Sequence, residues 1–315
     1  MTAGELDDDP EHVDLEAVVA ERRRLLALCY RMLGSLAEAE DAVQATYVRW
    51  YRMEQREREA VLNPQGWLTR TASRICLDLL GSARARRERY VGEWLPEPVP
   101  ADLFRGTVPA PAEPSPRADP LAQVTLDDEV STALLVVMGS MTPAERVAFV
   151  LHDVFAVPFP EIAGIVGRSP AAVRQLASAA RRRVRSQTPG EVDRARHDEV
   201  VRAFARASRE GDLGALAALL DPAVVLRSDG GGVVSAARRP VFGADKVARF
   251  LAGVRTKSPD LAFSEVSTGD GAALLLSDGT GVRAVLNLGV RGGVVTDVWL
   301  QVNPEKLRAW SSPAR

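Results

Sequence analysis

From about residue 20 onward the apolar positions recur at spacings of three and four, as in Leu25, Leu28, Cys29, Met32 and Leu33, which is the period of one helix face. Gly34 and Ser35 interrupt that run, and helical spacing returns over 36–53 and again over 64–80. Asn63 there suits the N-cap and Pro64 the first helical position. The spacing predicts a compact all-helical module over 15–90. Over 91–120 the period vanishes: eight of these 30 residues are proline, which forbids continuous helix and predicts an extended, semi-rigid linker. An apolar helix is expected over 127–141. Thr142-Pro143-Ala144-Glu145 then has the form of a capping box that starts another helix, and helices continue to about Gln187, giving a second helical module over 121–187. From His197 two amphipathic helices, with Val200, Val201 and Phe204 on one face, give way to short Val- and Leu-rich runs over 272–276, 282–288 and 294–302. Asp278-Gly279 and Gly292-Gly293 supply the turns. The third module, 197–315, therefore reads as α+β, a meander with helices on one face.

The sharpest local signal runs from Phe159 to Leu176. Small Ala163 permits close helix approach, Gly167 can take the left-handed turn, Ser169 and Pro170 start a second helix, and Val173 plugs the angle between the two. This is helix-turn-helix spacing. With Val173, Leu176, Ala177, Ala180 and Val184 as the buried stripe, Arg174, Gln175, Ser178, Arg181, Arg182 and Arg185 are expected to face outward. Early positions on such a helix reach base edges, whereas the later arginines suit phosphate.

Charge sharpens this reading. The chain has 40 basic and 42 acidic residues, so a nucleic-acid surface must be local. Between Arg168 and Gln187 there are six Arg and no acidic residue. A second stretch, Trp67 to Tyr90, carries six Arg against Asp78 and Glu88. Trp67, Arg70, Arg74, Arg84, Arg86 and Arg87 are its candidate contacts to opened or single-stranded DNA, although Trp67 also fits a helical core. Cys29 and Cys76 are the only cysteines and lack the spacing of a zinc site or disulfide framework, so no metal or cofactor is expected. An acidic N-terminus and the absence of a long apolar run argue against a signal peptide or membrane span and for the cytoplasm.

Leu36-Ala37-Glu38-Ala39-Glu40-Asp41-Ala42-Val43-Gln44, Trp50, the segment from Pro64 to Arg74, Leu77-Asp78-Leu79-Leu80 and the arginines that follow resemble region two of an extracytoplasmic-function (ECF) sigma factor, and the helix-turn-helix segment resembles region four. The resemblance implies core RNA polymerase and promoter DNA as partners, with Glu40, Asp41, Gln44 and Trp50 docking on the polymerase. Trp94-Leu95-Pro96 in the linker, Asp229-Gly230-Gly231-Gly232 and Asn303-Pro304-Glu305-Lys306 are similar to motifs of the SigJ-like subgroup, whose C-terminal domain is a SnoaL-like (NTF2-like) α+β cone. Val233 stands where that glycine motif usually closes with lysine. The expected architecture is thus multidomain, two all-α sigma modules followed by the cone, and the three motifs are expected to form a regulatory interface.

SnoaL-like folds also host enzymes. Here the module's only histidine, His197, is expected before its first helix, and Arg227, Asp229, Asp297, Trp299 and Gln301 are cavity candidates without the spacing of a catalytic pair. The expectation is a sigma factor without catalysis, regulated by its own third domain, which could take an unknown small ligand. The alternative is a stand-alone helix-turn-helix regulator with a sensor domain.

Overall fold

The computed structural model describes residues 15–87, 90–108, 130–187 and 193–311. The first module comprises α1 (Leu15–Leu33), α2 (Leu36–Arg52), α3 (Gln55–Glu59) and α4 (Pro64–Arg87). Ser35 caps α2 through the Glu38 N–H, and the Asn63 side chain accepts from the Gly66 N–H at 2.8 Å to open α4. The fourth helix runs about two turns beyond the expected end at 80, because 81–87 contains no breaker other than Gly81 and is rich in Ala and Arg.

The second module holds α5 (Thr132–Gly139), α6 (Pro143–Phe149), a π-helical turn (Val150–Val154), α7 (Phe159–Val166) and α8 (Pro170–Gln187). Its first helix is shorter than the expected 127–141, and residues before 130 lie outside the described ones. Thr142 and Glu145 form the expected capping box. Gly167 takes φ 68°, closing α7 on the Ala163 carbonyl, and Val173 is wholly buried.

The two helical modules do not sit apart as a linker boundary predicts. Leu25, Leu28, Leu33, Val43, Ala72 and Cys76 of the first share one continuous core with Val147, Phe149, Leu151, Ile162, Val173 and Ala177 of the second. Cations reinforce the seam: the Arg24 and Arg31 guanidinium groups each lie 5.7 Å from the Phe155 ring centroid, and Arg146 is 2% exposed beneath the α1–α2 turn.

The third module contains α9 (Arg194–Glu210), α10 (Leu213–Leu219), β1 (Leu220–Asp229), β2 (Val241–Phe242), α11 (Ala244–Lys257), β3 (Ala262–Thr268), β4 (Gly271–Asp278), β5 (Gly281–Arg291), β6 (Val294–Gln301), a 3-10 turn (Pro304–Lys306) and α12 (Arg308–Ser311). The sheet order is β2-β1-β6-β5-β4-β3, antiparallel except for the β1–β6 pair. The expected meander is β4-β5-β6. The sequence reading missed β1, β2, β3 and α11. Register shifts in β1, β4 and β5 curl the sheet around a core of Val201, Phe204, Leu216, Val247, Leu286 and Val298 under α9, α10 and α11. His197 lies within the first turn of α9, not before it, and its Nε2 sits 3.0 Å from the Leu288 carbonyl.

The centre of the sheet is buried on both faces. Residues Ala284 to Val290 of β5 are all buried, because helices cover one face while residues 94–104 and the start of α5 cover the other. The linker is therefore a structural layer from 94 to 104, and 109–129 lies outside the described residues.

Candidate DNA, polymerase and interdomain sites

On α2, Glu40, Asp41 and Gln44 are exposed along one face, while Ala39, Ala42 and Val43 are buried. Val48 and Tyr51, 41% and 64% exposed, extend that face by the i, i+4, i+7 step from Gln44. Neither residue was singled out in the sequence. Trp50 departs from its expected place: its ring meets Trp67 edge-on at 5.2 Å, turned toward the core. Trp67 is half-buried, one side of its ring packed on Trp50 and the core.

Arg70 is exposed on α4, whereas Arg74 donates through Nη2 to the Gly164 carbonyl at 2.9 Å and so ties α4 to the helix-turn-helix. The side chains of Arg84, Arg86 and Arg87 lie outside the described residues. On α8, Arg174, Gln175, Arg182 and Arg185 are exposed as expected and Ser178 is half-buried, its hydroxyl donating to the Arg174 carbonyl. Arg181 is a correction: its Nε bonds Asp153 at 2.6 Å in a partly buried ion pair, so it braces α8 against the π-helical turn. The reading face of α8 opens on a groove of about 1090 Å³ whose far side includes Leu77 of α4 and Pro143 of α6.

The glycine motif, the linker motif and the C-terminal motif meet around Asp229, which is fully buried at the end of β1. Its carboxylate accepts from the Tyr90 hydroxyl at 2.6 Å, the Leu95 N–H at 2.9 Å, the Gly231 N–H at 3.0 Å and the Lys306 ammonium at 2.7 Å. Four donors converge on one carboxylate, and Gln301 adds a fifth at 3.4 Å. Lys306 also donates to the Leu95 carbonyl at 2.7 Å and stands 4.3 Å from the centroid of the Trp94 indole. Trp94 in turn packs on Gly34, where a Cβ would lie 3.0 Å from the ring. The ring is thus held between the first module and the third. Gly231, at φ +63°, leaves room for Asn303, whose amide would sit 2.4 Å from an added Cβ. Gly230 is buried at the base of that loop, Gly232 faces Val91, and Gln301 donates to the Pro96 carbonyl at 3.3 Å. Pro304 and Glu305 do not reach the linker; both are exposed, and they form the turn that delivers Lys306.

Partners that the sequence did not disclose complete this interface. Burial and the Asp229 carboxylate raise the Tyr90 pKa, so its hydroxyl stays a donor. Trp310 donates to the Pro98 carbonyl at 2.7 Å, and Ala101 bonds the Ser267 carbonyl at 3.0 Å. A separate grip holds the second module. Asp270, in the β3–β4 turn, accepts from the Ser131 hydroxyl at 2.6 Å and the Thr132 N–H at 2.8 Å, so it caps α5 from another domain. Arg227 and Asp297 pair with each other at 3.2 Å instead of lining a cavity.

Glu97 joins linker to first module: its carboxylate accepts the Leu36 N–H at 2.7 Å, and its own N–H reaches the Gly34 carbonyl at 2.9 Å. Burial pushes its pKa up, against the lowering by that N–H and by Lys306. A raised folded-state pKa means that the docked form takes up the proton more readily than the unfolded chain, whose value is about 4.3. The stabilising contribution is therefore complete below that value and is lost as pH rises through the folded one. Glu97→Gln keeps the hydrogen bond to Leu36 without the titration, and is expected to flatten the part of the melting profile that lies above the unfolded carboxylate value. Parallel pH dependences of the two proteins in thermal melts would remove Glu97 from the account.

Among the described residues no cluster of three or more His, Cys, Asp or Glu could hold a metal, and no helix is long and apolar enough to cross a membrane. Residues 17–86 match the Sigma-70 region 2 family and residues 131–184 the Sigma-70 region 4 family. The chain is 39% identical to the ECF RNA polymerase sigma factor SigJ of Mycobacterium tuberculosis over 91% of both chains, and 35% identical to the probable ECF sigma factor SigI of the same species over 91% of this chain and 92% of that one. The crystal structure of M. tuberculosis SigJ superposes with a TM-score of 0.69 at 34% identity, covering 96% of this chain and all of the other. These relatives are sigma factors of RNA polymerase and so act in transcription. Regions two and four imply binding to core RNA polymerase and promoter DNA, and the third module is an α+β domain within the span that superposes on SigJ. The chain therefore belongs to the extracytoplasmic-function sigma factors, the subunits that give bacterial RNA polymerase its promoter specificity.

Proposed function

We propose that the third domain regulates promoter use from within the chain by holding the two sigma modules in one closed arrangement. The observation that carries this is its double grip: Asp229 and Lys306 bind the linker at Leu95, while Asp270 caps α5. Each sigma module is thus tied to the same sheet, so the third domain adds its hold to the core that the two modules share. Polymerase docking falls to Glu40, Asp41 and Gln44, with Val48 and Tyr51 supplying the apolar contact. Arg174 and Gln175 read bases, Arg70, Arg182 and Arg185 meet phosphate, and Ser178 contributes to the reading face. The domain acts as a clamp without catalysis, with Asp229 and Lys306 and Arg227 and Asp297 held in structural pairs, and the protein works in the cytoplasm.

Transcription with core polymerase tests this division of labour. Arg174→Ala is expected to cost about 1–3 kcal/mol and to relax preference at one upstream position, while Arg182→Ala weakens all promoters alike and lowers the salt slope by about 1. Equal, sequence-independent losses would refute the assignment. Tight, selective binding of duplex DNA by the chain without core enzyme would instead favour a stand-alone regulator.

A further inference from the structure

The π-helical turn at Val150–Val154 is the irregular point of the second module. The chain returns from it to α7 through Ala156, at φ 54° the one left-handed residue other than glycine among those described. A position of this kind persists where its surroundings fix it, and two adjacent side chains of the turn are committed to the helix-turn-helix. Asp153 takes Arg181 of α8. His152 stacks on the Phe159 ring, 3.8 Å between centroids, while its Nδ1 donates to the Val157 carbonyl at 3.1 Å. Phe159, half-buried in the first turn of α7, is thereby fixed, and the Arg174 guanidinium of α8 lies over the same ring, 5.2 Å from its centroid. The two arginines are held in opposite ways. Arg181 commits Nε to a carboxylate at 2.6 Å and braces the fold. Arg174 is held by a ring that has no lone pair to take an N–H, and among the described residues its guanidinium has no hydrogen-bond or ion-pair partner. Its fork of donors stays open while its long, rotamer-rich stem is restrained.

We propose that Phe159 is a positioning residue for promoter recognition: its ring, fixed by His152, holds Arg174 as a two-pronged donor for guanine O6 and N7 in the upstream element. Guanine is the base whose major-groove edge offers two adjacent acceptors to that fork. Phe159 needs no contact with DNA, because it acts by lowering the freedom that Arg174 loses on binding. The proposal rests on the assignment of Arg174 as a base reader, and adds the base it reads and the residue that aims it.

The test is transcription by the full chain with core polymerase, from promoters carrying each base pair in turn at the upstream position where Arg174→Ala relaxes preference. The full chain should favour guanine there. Phe159→Leu, which keeps apolar packing without a ring face, should lower that preference about 2–5-fold, the value of an exposed cation–π contact, and Phe159→Tyr should retain it. In the Arg174→Ala background Phe159→Leu should change the preference no further, whereas a merely structural role would lower output alike at every base in both backgrounds. Should Phe159→Leu fail to fold, pentafluorophenylalanine at position 159 has nearly the same shape with the charge pattern of the ring reversed, and carries the same expectation. Preference for a base other than guanine, a preference unchanged or sharpened by loss of the ring, or an equal loss in Phe159→Tyr would each overturn the proposal. If Arg174→Ala relaxes no position, the reader assignment fails and the proposal with it; an effect of Arg174→Ala without one of Phe159→Leu fails the proposal alone.

Discussion

Asp229→Ala is expected to destabilise the folded chain by about 3–5 kcal/mol, the cost of stranding a buried ammonium when its carboxylate is removed. Lys306 is nearly inaccessible beneath Trp94, and at the Asp229 end of its site the Tyr90 hydroxyl and the Leu95 N–H would lose their acceptor together. The loss should concentrate on the contact between linker and third domain, because the donors to Asp229 are Tyr90 and Leu95 of the linker side and Gly231 and Lys306 of the third domain. Urea denaturation gives the magnitude, and proteolysis in the linker gives the place. Combining Asp229→Ala with Lys306→Met removes the uncompensated charge, so the double variant should be more stable than Asp229→Ala alone, a non-additivity that a surface pair would not show. A drop below about 1 kcal/mol, with linker protection intact, would mean that the four hydrogen bonds contribute little to docking.

That interface also shows where sequence reading succeeds. The three short motifs were legible as a set because each broke its surroundings: a tryptophan in a proline-rich stretch, a glycine triplet behind an aspartate, a lysine in a chain with two others. Their partners were not legible. Tyr90, Glu97 and Asp270 are ordinary residues until the fold brings them across 139, 61 and 138 positions of sequence to Asp229, Leu36 and Thr132. The helices were read well because amphipathic spacing and caps are local signals. Strand β1 was lost because its Asp-Pro start and bulge disturb alternation, and its pairing with β6 is parallel, a long-range choice that no hairpin turn announces. Outward positions on α8 were right for Arg174, Gln175, Arg182 and Arg185, yet Arg181 turned to Asp153, an acid on a different element. Periodicity assigns a face to a residue; it does not reveal what stands opposite.

The closed packing of the two sigma modules gives the second large expected effect. The reading face of α8 faces a groove bounded by Leu77 of α4, and Arg74 is spent on the Gly164 carbonyl, so neither basic surface is wholly available while the shared core persists. A recognition helix must lie in a major groove about 12 Å wide, with flanking phosphates on both sides, which requires the modules to part. Deletion of residues 303–315 removes Asn303, Lys306 and Trp310 and frees the linker, but leaves the Asp270 cap on α5. Deletion of 197–315 removes both grips and leaves the modules joined by their shared core alone. The effective concentration of one module at its element depends on how the other is tethered, so the two deletions should change core-dependent promoter output unequally, on the order of tenfold or more between them at a promoter with mismatched spacing. Trp94→Ala should follow the shorter deletion, since Trp94 contacts Gly34 and Lys306 and has no part in the Asp270 cap. Fluorophores at exposed positions 62 and 186 would report the distance between modules directly, short in the full chain and longer once core polymerase is added. If all three variants transcribe as the full chain does and the distance never changes, the third domain exerts no control over module spacing, and the double grip serves stability alone.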